Sequence, residues 1–424
     1  MTESFDDAPG ERSRVRLLGS AGSAKAFEIR DFLSRSVVAF DWVELDAATA
    51  KDVPGISGID DARLPVCEFP DGTRLFAASV RDIADRLGWV SKPRLTEYDV
   101  SIYGAGPAGL SAAVYAASEG LKTVLIERHA VGGQAGSSSL IENYLGFPRG
   151  VTGADLAERA RQQAVRFGAE ILHLREGVNA SFAGGKIVVD MADGSRLSAR
   201  TNICATGIEW RRLNVPNEAR FLGSGLFYGA GASEAPMCGG ETVYVVGGGN
   251  SAGQAAMHLS LFAKEVVMLV RGDRLADSLS DYLVKKIEAL DVIRVVAHCE
   301  VTAVSGDASL EAITVRDRHS GDLTELPTNR MFVCIGGQPN TEWARNTAIV
   351  RDPAGYLVTG PDLLVKGKLP DAWPLERPPF HLETSVPGSF AAGDVRHGSV
   401  KRVASGVGEG AMAVAFVHQH LANG

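Results

Sequence analysis

Two short glycine runs carry the spacing that phosphate chemistry requires. In "YDVSIYGAGPAGLSAAVYAASEGLKTVLIE" Gly104, Gly106 and Gly109 fall as GxGxxG. In "ETVYVVGGGNSAGQAAMHLSLFAKEVVMLVRGDR" Gly247, Gly249 and Ala252 fall as GxGxxA, with Asn250 and Ser251 between them. The first glycine of such a run permits a tight turn, and the second lets backbone amides approach a pyrophosphate. The third small residue lets a helix pack closely on a strand. Glu127 ends the strand after the first run, where a ribose hydroxyl needs a carboxylate. The second run has Arg271 there, with Arg274 behind it. An arginine pairs with a 2′-phosphate and favours NADP(H) over NAD(H), the alternative being that both arginines solvate a loop.

These groups need strands and helices to hold them, and both runs read as strand, turn, helix, strand. "NICATG" and "MFVCIGGQPNT" read as apolar strands running into glycine turns. "GSFAAGDVRHGSVKRVASGVGEGAMAVAFVHQHL" reads as a short strand, an Ala-Gly-Asp turn and a helix of small residues. Asp394 at that turn could bond a ribityl hydroxyl, and Lys401 and Arg402 could neutralise a reduced flavin; the alternative is solvated loop charge.

The composition sets the frame. A length of 424 residues suggests two or three domains, and 45% apolar with 22% charged residues fits an ordinary globular protein. A net charge of −8 argues against a nucleic-acid partner. The start, "MTESFDDAPGERSR", has no signal-peptide core, and no run approaches the roughly 18 apolar residues of a membrane span. Cys67, Cys204, Cys238, Cys299 and Cys334 contain no CxxC, so a reducing cytoplasm with buried thiols is expected, without zinc or iron–sulfur sites.

From Glu97 to Leu421 the chain resembles the low-molecular-weight thioredoxin reductase family of flavoproteins. The resemblance rests on "GAGPAG", "VGGQA", "IENYLGFP", "CATG", "GGGNSA", "IGGQPNT" and "AAGDV", in that order. It implies an α/β fold in which the first cradle holds FAD and the second, inserted between two halves of the FAD domain, holds NADPH. By position, Gly106, Pro107, Ala108, Glu127, Gly133, Gln134, Asn143, Ala205 and Thr206 would contact FAD. Gly393, Asp394, Lys401, Arg402 and Val403 would do so from the second half. Lys401-Arg402 stands where the family usually has Arg-Gln, and "LVRGDR" keeps only the first arginine of its His-Arg-Arg.

Ahead of this region, "RVRLLGSAGSAKAFEIRDFLSRSVVAFDWVEL" reads as strand, loop, helix, strand, and "RLPVCEFPDGTRLFAASVRDIADRLGW" as strand, turn, strand, helix. That order resembles a glutaredoxin or thioredoxin-like domain, with Leu64-Pro65 where such folds carry a cis-proline. "SAGS" (20–23) occupies the place of the redox CxxC, so this domain cannot exchange disulfides. Cys67 reads as a packed strand residue. The expected domains are 14–90 (thioredoxin-like), 91–96 (linker), 97–211 (FAD, first half), 212–328 (NAD(P)H) and 329–424 (FAD, second half).

"GLFYGAGASEAPM" (225–237) raises the functional question. The family carries Gly-x-Gly-Val-x-Tyr and then Cys-x-x-Cys-Asp here. Aligning "GSGLFY" places Gly229 and Ala232 at the cysteines and Ser233 at the aspartate, so the thiol relay is missing. Cys238 lies past the motif and reads as structural. Small side chains would free volume beside the isoalloxazine, giving a substrate direct access; the alternative is a tight glycine turn only. The expected activity is NADPH oxidation by an FAD enzyme acting on a quinone, another small electrophile or dioxygen, with Tyr228, Ser233, Glu234 and His397 as candidate proton donors. Two other readings are a ferredoxin- or flavodoxin-NADP reductase and a non-catalytic flavin sensor. Against the first stand the acidic charge and an end at "HQHLANG" without a flavin-covering extension; against the second stands the complete NADPH cradle. The expected assembly is a homodimer off the membrane, with the front domain open to a protein partner.

Overall fold

The computed structural model describes residues 14–229 and 231–423. The polar leader 1–13, read above as lacking a signal core, lies outside the described residues, as does Ala230.

The front body runs β1 (Val15–Gly19), α1 (Ala24–Arg35), β2 (Phe40–Glu44), β3 (Val66–Glu68), β4 (Arg74–Phe76) and α2 (Val80–Arg86). Its sheet has the order β2-β1-β3-β4, with β1 parallel to β2 and antiparallel to β3. Helix α1 starts where Ser23 Oγ accepts from the Ala26 amide at 3.3 Å, satisfying one of the free donors of the first turn. Its Ile29, Phe32 and Leu33 are buried against Val15, Leu17, Cys67 and Ile83. The Leu64-Pro65 peptide leading into β3 is cis. Residues 91–96 have no regular structure but are tied down. The Arg94 amide donates to Glu170 Oε1 at 2.9 Å, and Arg175 Nη2 donates to the Ser91 carbonyl at 2.9 Å.

The first lobe contains β5 (Glu97–Tyr103), α3 (Pro107–Ser118), β6 (Thr123–Glu127), α4 (Gly153–Arg166), β7 (Glu170–His173), β8 (Gly177–Ala183), β9 (Lys186–Met191) and β10 (Arg196–Cys204). The order is β7-β6-β5-β10-β9-β8, parallel from β7 to β10 and antiparallel beyond. Val100, Ile102, Val124, Leu125 and Ile203 on the parallel strands are fully buried, which is why these strands read as continuous apolar runs.

The chain then crosses through β11 (Ile208–Trp210) into a second lobe. That lobe comprises α5 (Glu218–Phe221), β12 (Leu226–Tyr228), β13 (Thr242–Val246), α6 (Asn250–Leu259), β14 (Glu265–Leu269), α7 (Asp281–Glu288) and β15 (Ile293–Val296). A three-stranded antiparallel sheet follows, β16 (Cys299–Ser305), β17 (Ala312–Asp317) and β18 (Leu323–Pro327), then β19 (Met331–Val333). The main sheet, β12-β19-β13-β14-β15, is all parallel. Since β19 pairs between β12 and β13, the second lobe extends past residue 328, the boundary expected from sequence. An apolar strand fits either lobe's sheet, and its burial between two second-lobe strands decides the matter. The return crossing, β20 (Gly337–Pro339), pairs antiparallel with β11. Back in the first lobe, β21 (Ser389–Ala391) pairs with β10, and α8 (Val403–Asn423) packs on α3.

All five cysteines are buried and free. Among the described residues no helix is long and apolar enough to cross a membrane, and no His/Cys/Asp/Glu group has a metal-binding arrangement.

Candidate active site

Both glycine runs form the turn between a strand and a helix N-terminus. At the first, Gly104 has φ +100°, and a Cβ there would lie 2.4 Å from the Ala205 carbonyl oxygen. A Cβ on Gly109 would lie 1.8 Å from the Gly104 carbonyl oxygen, so α3 can seat only with glycine at this position. Gly106 differs: a Cβ would meet nothing nearer than Gly133 Cα at 3.8 Å, so its backbone faces open space. The second turn repeats the pattern, with Gly247 packed on the Cys334 carbonyl oxygen (2.3 Å to a Cβ) and Gly249 open. Open space above the middle glycine at the start of a helix is what a pyrophosphate needs.

A cleft of about 1320 Å³ lies between the lobes. Gly104, Gly106, Pro107, Ala108, Glu127, Gly133, Gln134, Ala205 and Thr206 line it, as do Gly393, Asp394, Lys401, Arg402 and Val403. Most residues assigned to FAD are thus brought together from the two halves of the first lobe. Glu127 Oε2 accepts from the Ala105 amide at 2.7 Å and Oε1 from the His129 amide at 2.8 Å, leaving acceptor sites for ribose hydroxyls. Gln134 is held by donating to the Ile208 carbonyl at 2.8 Å. Burial raises the Asp394 carboxyl pKa, opposed by the neighbouring Lys401 charge. Lys401 Nζ lies 3.2 Å from Ser399 Oγ and 4.5 Å from the Tyr356 ring centre. Gly109 lies behind the cleft as a packing residue. Asn143 is the exception: it is exposed on the loop after Ile141 and does not line the cleft.

Of the residues assigned to NADPH, Ser251 lines the cleft, joined by Gln254 one turn along α6. Gly247, Gly249, Asn250 and Ala252 form the adjoining turn. Asn250 Oδ1 accepts from the Ser280 amide at 2.8 Å, and Ser278 Oγ donates to the Gly248 carbonyl at 2.7 Å, pinning a neighbouring loop to the cradle. Arg271 and Arg274 are exposed on the loop after β14, and Arg274 pairs with Asp277 at 3.2 Å.

The four candidate proton donors do not assemble. Tyr228 lines the cleft, but its hydroxyl donates to Glu218 Oε1 at 2.7 Å and accepts from the Leu213 amide at 2.7 Å. Burial and the Glu218 carboxylate raise its pKa. Ser233 Oγ donates to Glu234 Oε1 at 2.7 Å, outside the cleft lining. Glu234 is buried with its oxygen 3.8 Å from Arg30 of α1, and burial pushes its pKa up to about 7. His397 is half-exposed off the cleft and faces Asp352, Nδ1 to Oδ2 at 2.6 Å. Each of these side chains lies close in sequence to a motif, but the fold turns its polar atoms to other partners.

The glycine-rich segment is also not open. Gly231 has φ +62°, and a Cβ would lie 2.2 Å from the Phe332 ring; one on Gly229 would lie 3.1 Å from Trp210. The small residues allow close packing of the turn and do not leave free volume beside the cleft. Over the segment lies the front body: the Phe27 ring of α1 packs tilted, 5.0 Å from that of Phe227, and Ser224 Oγ donates to the Gly22 carbonyl, just ahead of α1, at 2.6 Å.

Phe27, Glu28, Asp31 and Arg35 of that helix line the cleft, as do Ser137, Ser138, Trp210 and Arg212. The serines and Trp210 adjoin motifs, so extending those motifs by a few residues finds them. The α1 residues carry no such signal.

Residues 98–410 match the family model described as pyridine nucleotide-disulphide oxidoreductase. The chain is 33% identical to the thioredoxin reductase of Treponema pallidum over 320 residues, covering 75% of this chain and 95% of that protein. It is 32% identical over 328 residues to an alkyl hydroperoxide reductase component of Xanthomonas campestris pv. phaseoli, covering 76% of this chain. The match spans only 57% of that protein's length. Among solved structures, Lactococcus lactis thioredoxin reductase (FR conformation) matches with a TM-score of 0.68 and 26% identity, over 77% of this chain and 99% of that one. Thioredoxin reductase from T. acidophilum matches with a TM-score of 0.67 and 28% identity, over 77% and 99%. With two glycine cradles opening on one cleft, the chain belongs to the pyridine nucleotide-disulphide oxidoreductase family, as an FAD-dependent oxidoreductase of the thioredoxin reductase-like type.

Proposed function

We propose that this enzyme passes electrons from NADPH through FAD directly to a small acceptor that is not a disulfide: a quinone, another organic electrophile or dioxygen. One observation carries the reading. The segment 223–237, where the resemblance expects a disulfide, holds Gly229, Ala232 and Ser233, and every thiol of the chain is buried and free.

When bound, FAD supplies the two-electron chemistry; the protein supplies binding, orientation and charge. Gly106 and the N-terminus of α3 would take the FAD pyrophosphate, with Glu127 on the ribose and Asp394 on the ribityl chain. Lys401 and Arg402 would place positive charge at the start of α8. Gly249, Asn250 and Ser251 would take the NADPH pyrophosphate, and Arg271, with Arg274 beside it, the 2′-phosphate. The front body, read as a thioredoxin-like fold without the CxxC pair and with its one thiol, Cys67, buried, would take no part in electron exchange. The expected setting is the cytoplasm, supported by five unpaired thiols, and the expected assembly is a homodimer, which sedimentation would check.

Anaerobic titration with NADPH tests the reading. Two electrons per chain should suffice, all seen as loss of flavin absorbance, with no NADPH-dependent thioredoxin or dithiobis-nitrobenzoate turnover. A panel of quinones, nitro compounds, imines and ferredoxin then identifies the acceptor. Uptake of four electrons, or thioredoxin turnover lost on Cys238→Ser, would overturn it. Absence of NADPH consumption with every acceptor would favour a sensor.

A further inference from the structure

The two lobes are joined covalently at only two crossings, the short β11 and β20 pair. A third connection comes from outside both lobes. Helix α1 spans 12 residues, and its ends touch different lobes. Near its start Phe27 packs 5.0 Å from Phe227 of β12, in the second lobe. The fit is close, since a Cβ on Gly223 would lie only 2.9 Å from the Phe27 ring. At its end Arg35 Nη2 donates to the Gly133 carbonyl at 2.8 Å and the Ala130 carbonyl at 3.3 Å, in the loop that closes on the first cradle. Phe27 and Arg35 are eight positions apart, about 12 Å along a rigid helix. The buried Ile29, Phe32 and Leu33 fix the rotation of that helix in the front body, so neither end can adjust independently.

We propose that α1 is a strut of fixed length, and that Phe27 and Arg35 are positioning residues that hold the NADPH lobe against the FAD lobe with both cradles open to one cleft. The inference rests on the two-nucleotide reading above for its purpose, though not for its geometry. It makes the front body part of the redox machinery, through placement of the lobes.

Amide hydrogen exchange and small-angle scattering on the full chain, without nucleotide, read the geometry directly. In Phe27→Ala, exchange should rise severalfold at residues 226–228 and also at 130–134, at the far end of the strut, and the scattering should broaden. Arg35→Met should raise exchange at both ends in the same way. Faster exchange confined to the altered end, in both variants, would overturn the strut. Arg35→Lys, which keeps one charged donor, should restore most of the protection, and it serves as the folded control should Phe27→Ala not fold. With FAD bound, flavin bleaching by NADPH should be single-phase in the parent and tenfold or more slower in Arg35→Met. That slowing should come with an unchanged NADPH dissociation constant and a new dependence on solvent viscosity. Bleaching at the parent rate in Arg35→Met would also overturn the proposal. If the parent itself bleaches with neither nucleotide, the two-nucleotide reading fails while the exchange result still decides the strut.

Discussion

At Glu234 burial and charge pull in opposite directions. The side chain is 2% exposed, and Arg30 at 3.8 Å does not fully offset the loss of water, so its pKa rises from 4.5 to about 7. A carboxyl that holds its proton more tightly in the fold than in the unfolded chain stabilises the fold fully below pH 4.5. That contribution fades as the pH rises through about 7, and it amounts to at most about 3 kcal/mol. The melting temperature should therefore fall by several degrees between about pH 5 and pH 8. Glu234→Gln, which keeps the neutral shape, should flatten that profile in thermal scans; an unchanged profile would place the titration elsewhere. Arg271 is the opposite case, an exposed charge with room for a ligand. Arg271→Ala should weaken NADPH use about ten- to a hundredfold, for loss of a phosphate contact of roughly 1.5–3 kcal/mol, and leave NADH use nearly unchanged. Steady-state kinetics with the two nucleotides checks this, and equal losses would make Arg271 structural.

Helices α3 and α8 show how small residues set an element's place. Ser111 Oγ on α3 donates to the Val407 carbonyl on α8 at 2.7 Å, and a Cβ on Gly410 would lie 2.1 Å from the Ala108 carbonyl oxygen. The helices touch backbone to backbone, and α8 carries Val403 and Gly406 to the cleft. Gly410→Ala should push them apart at a cost of about 1–3 kcal/mol and weaken FAD retention several-fold, seen by melting and by flavin release. The cradles and α8 are legible in sequence because their constraints are local: turn, amides and packing all lie within one strand–helix unit. The places of Asn143 and His397 are not, because long loops carry their side chains and no periodicity governs a loop. The strand β19 is recognisable as a strand, but its sequence points to the wrong lobe, since pairing partners are a tertiary fact.

At the scale of the whole molecule, the front body is wedged against both lobes. Trp89 stacks 5.6 Å from His173 of the first lobe, and Arg30 lies beside Glu234 of the second. In sequence this body looks set apart by a linker and free for a partner. The part of α1 that faces the cleft, Phe27, Glu28 and Asp31, is an ordinary stripe of an amphipathic helix, and nothing in its spacing announces a neighbour.

The buried thiols have a consequence for how long such an enzyme lasts. Burial pushes Cys67, Cys204, Cys238 and Cys334 up to about 12 and raises Cys299 as well. A thiol with that pKa is ionised to only about one part in 10⁵ at pH 7, and the thiolate is the species that peroxides and alkylating agents attack. An enzyme working beside quinones or oxygen-derived peroxide would otherwise poison itself with its own substrates or products. Incubation with N-ethylmaleimide or hydrogen peroxide should leave NADPH-driven turnover intact, and the native protein should expose no thiol to dithiobis-nitrobenzoate until denaturant releases all five. Rapid labelling of a native cysteine, with loss of turnover, would show that one of them is within reach of the chemistry after all.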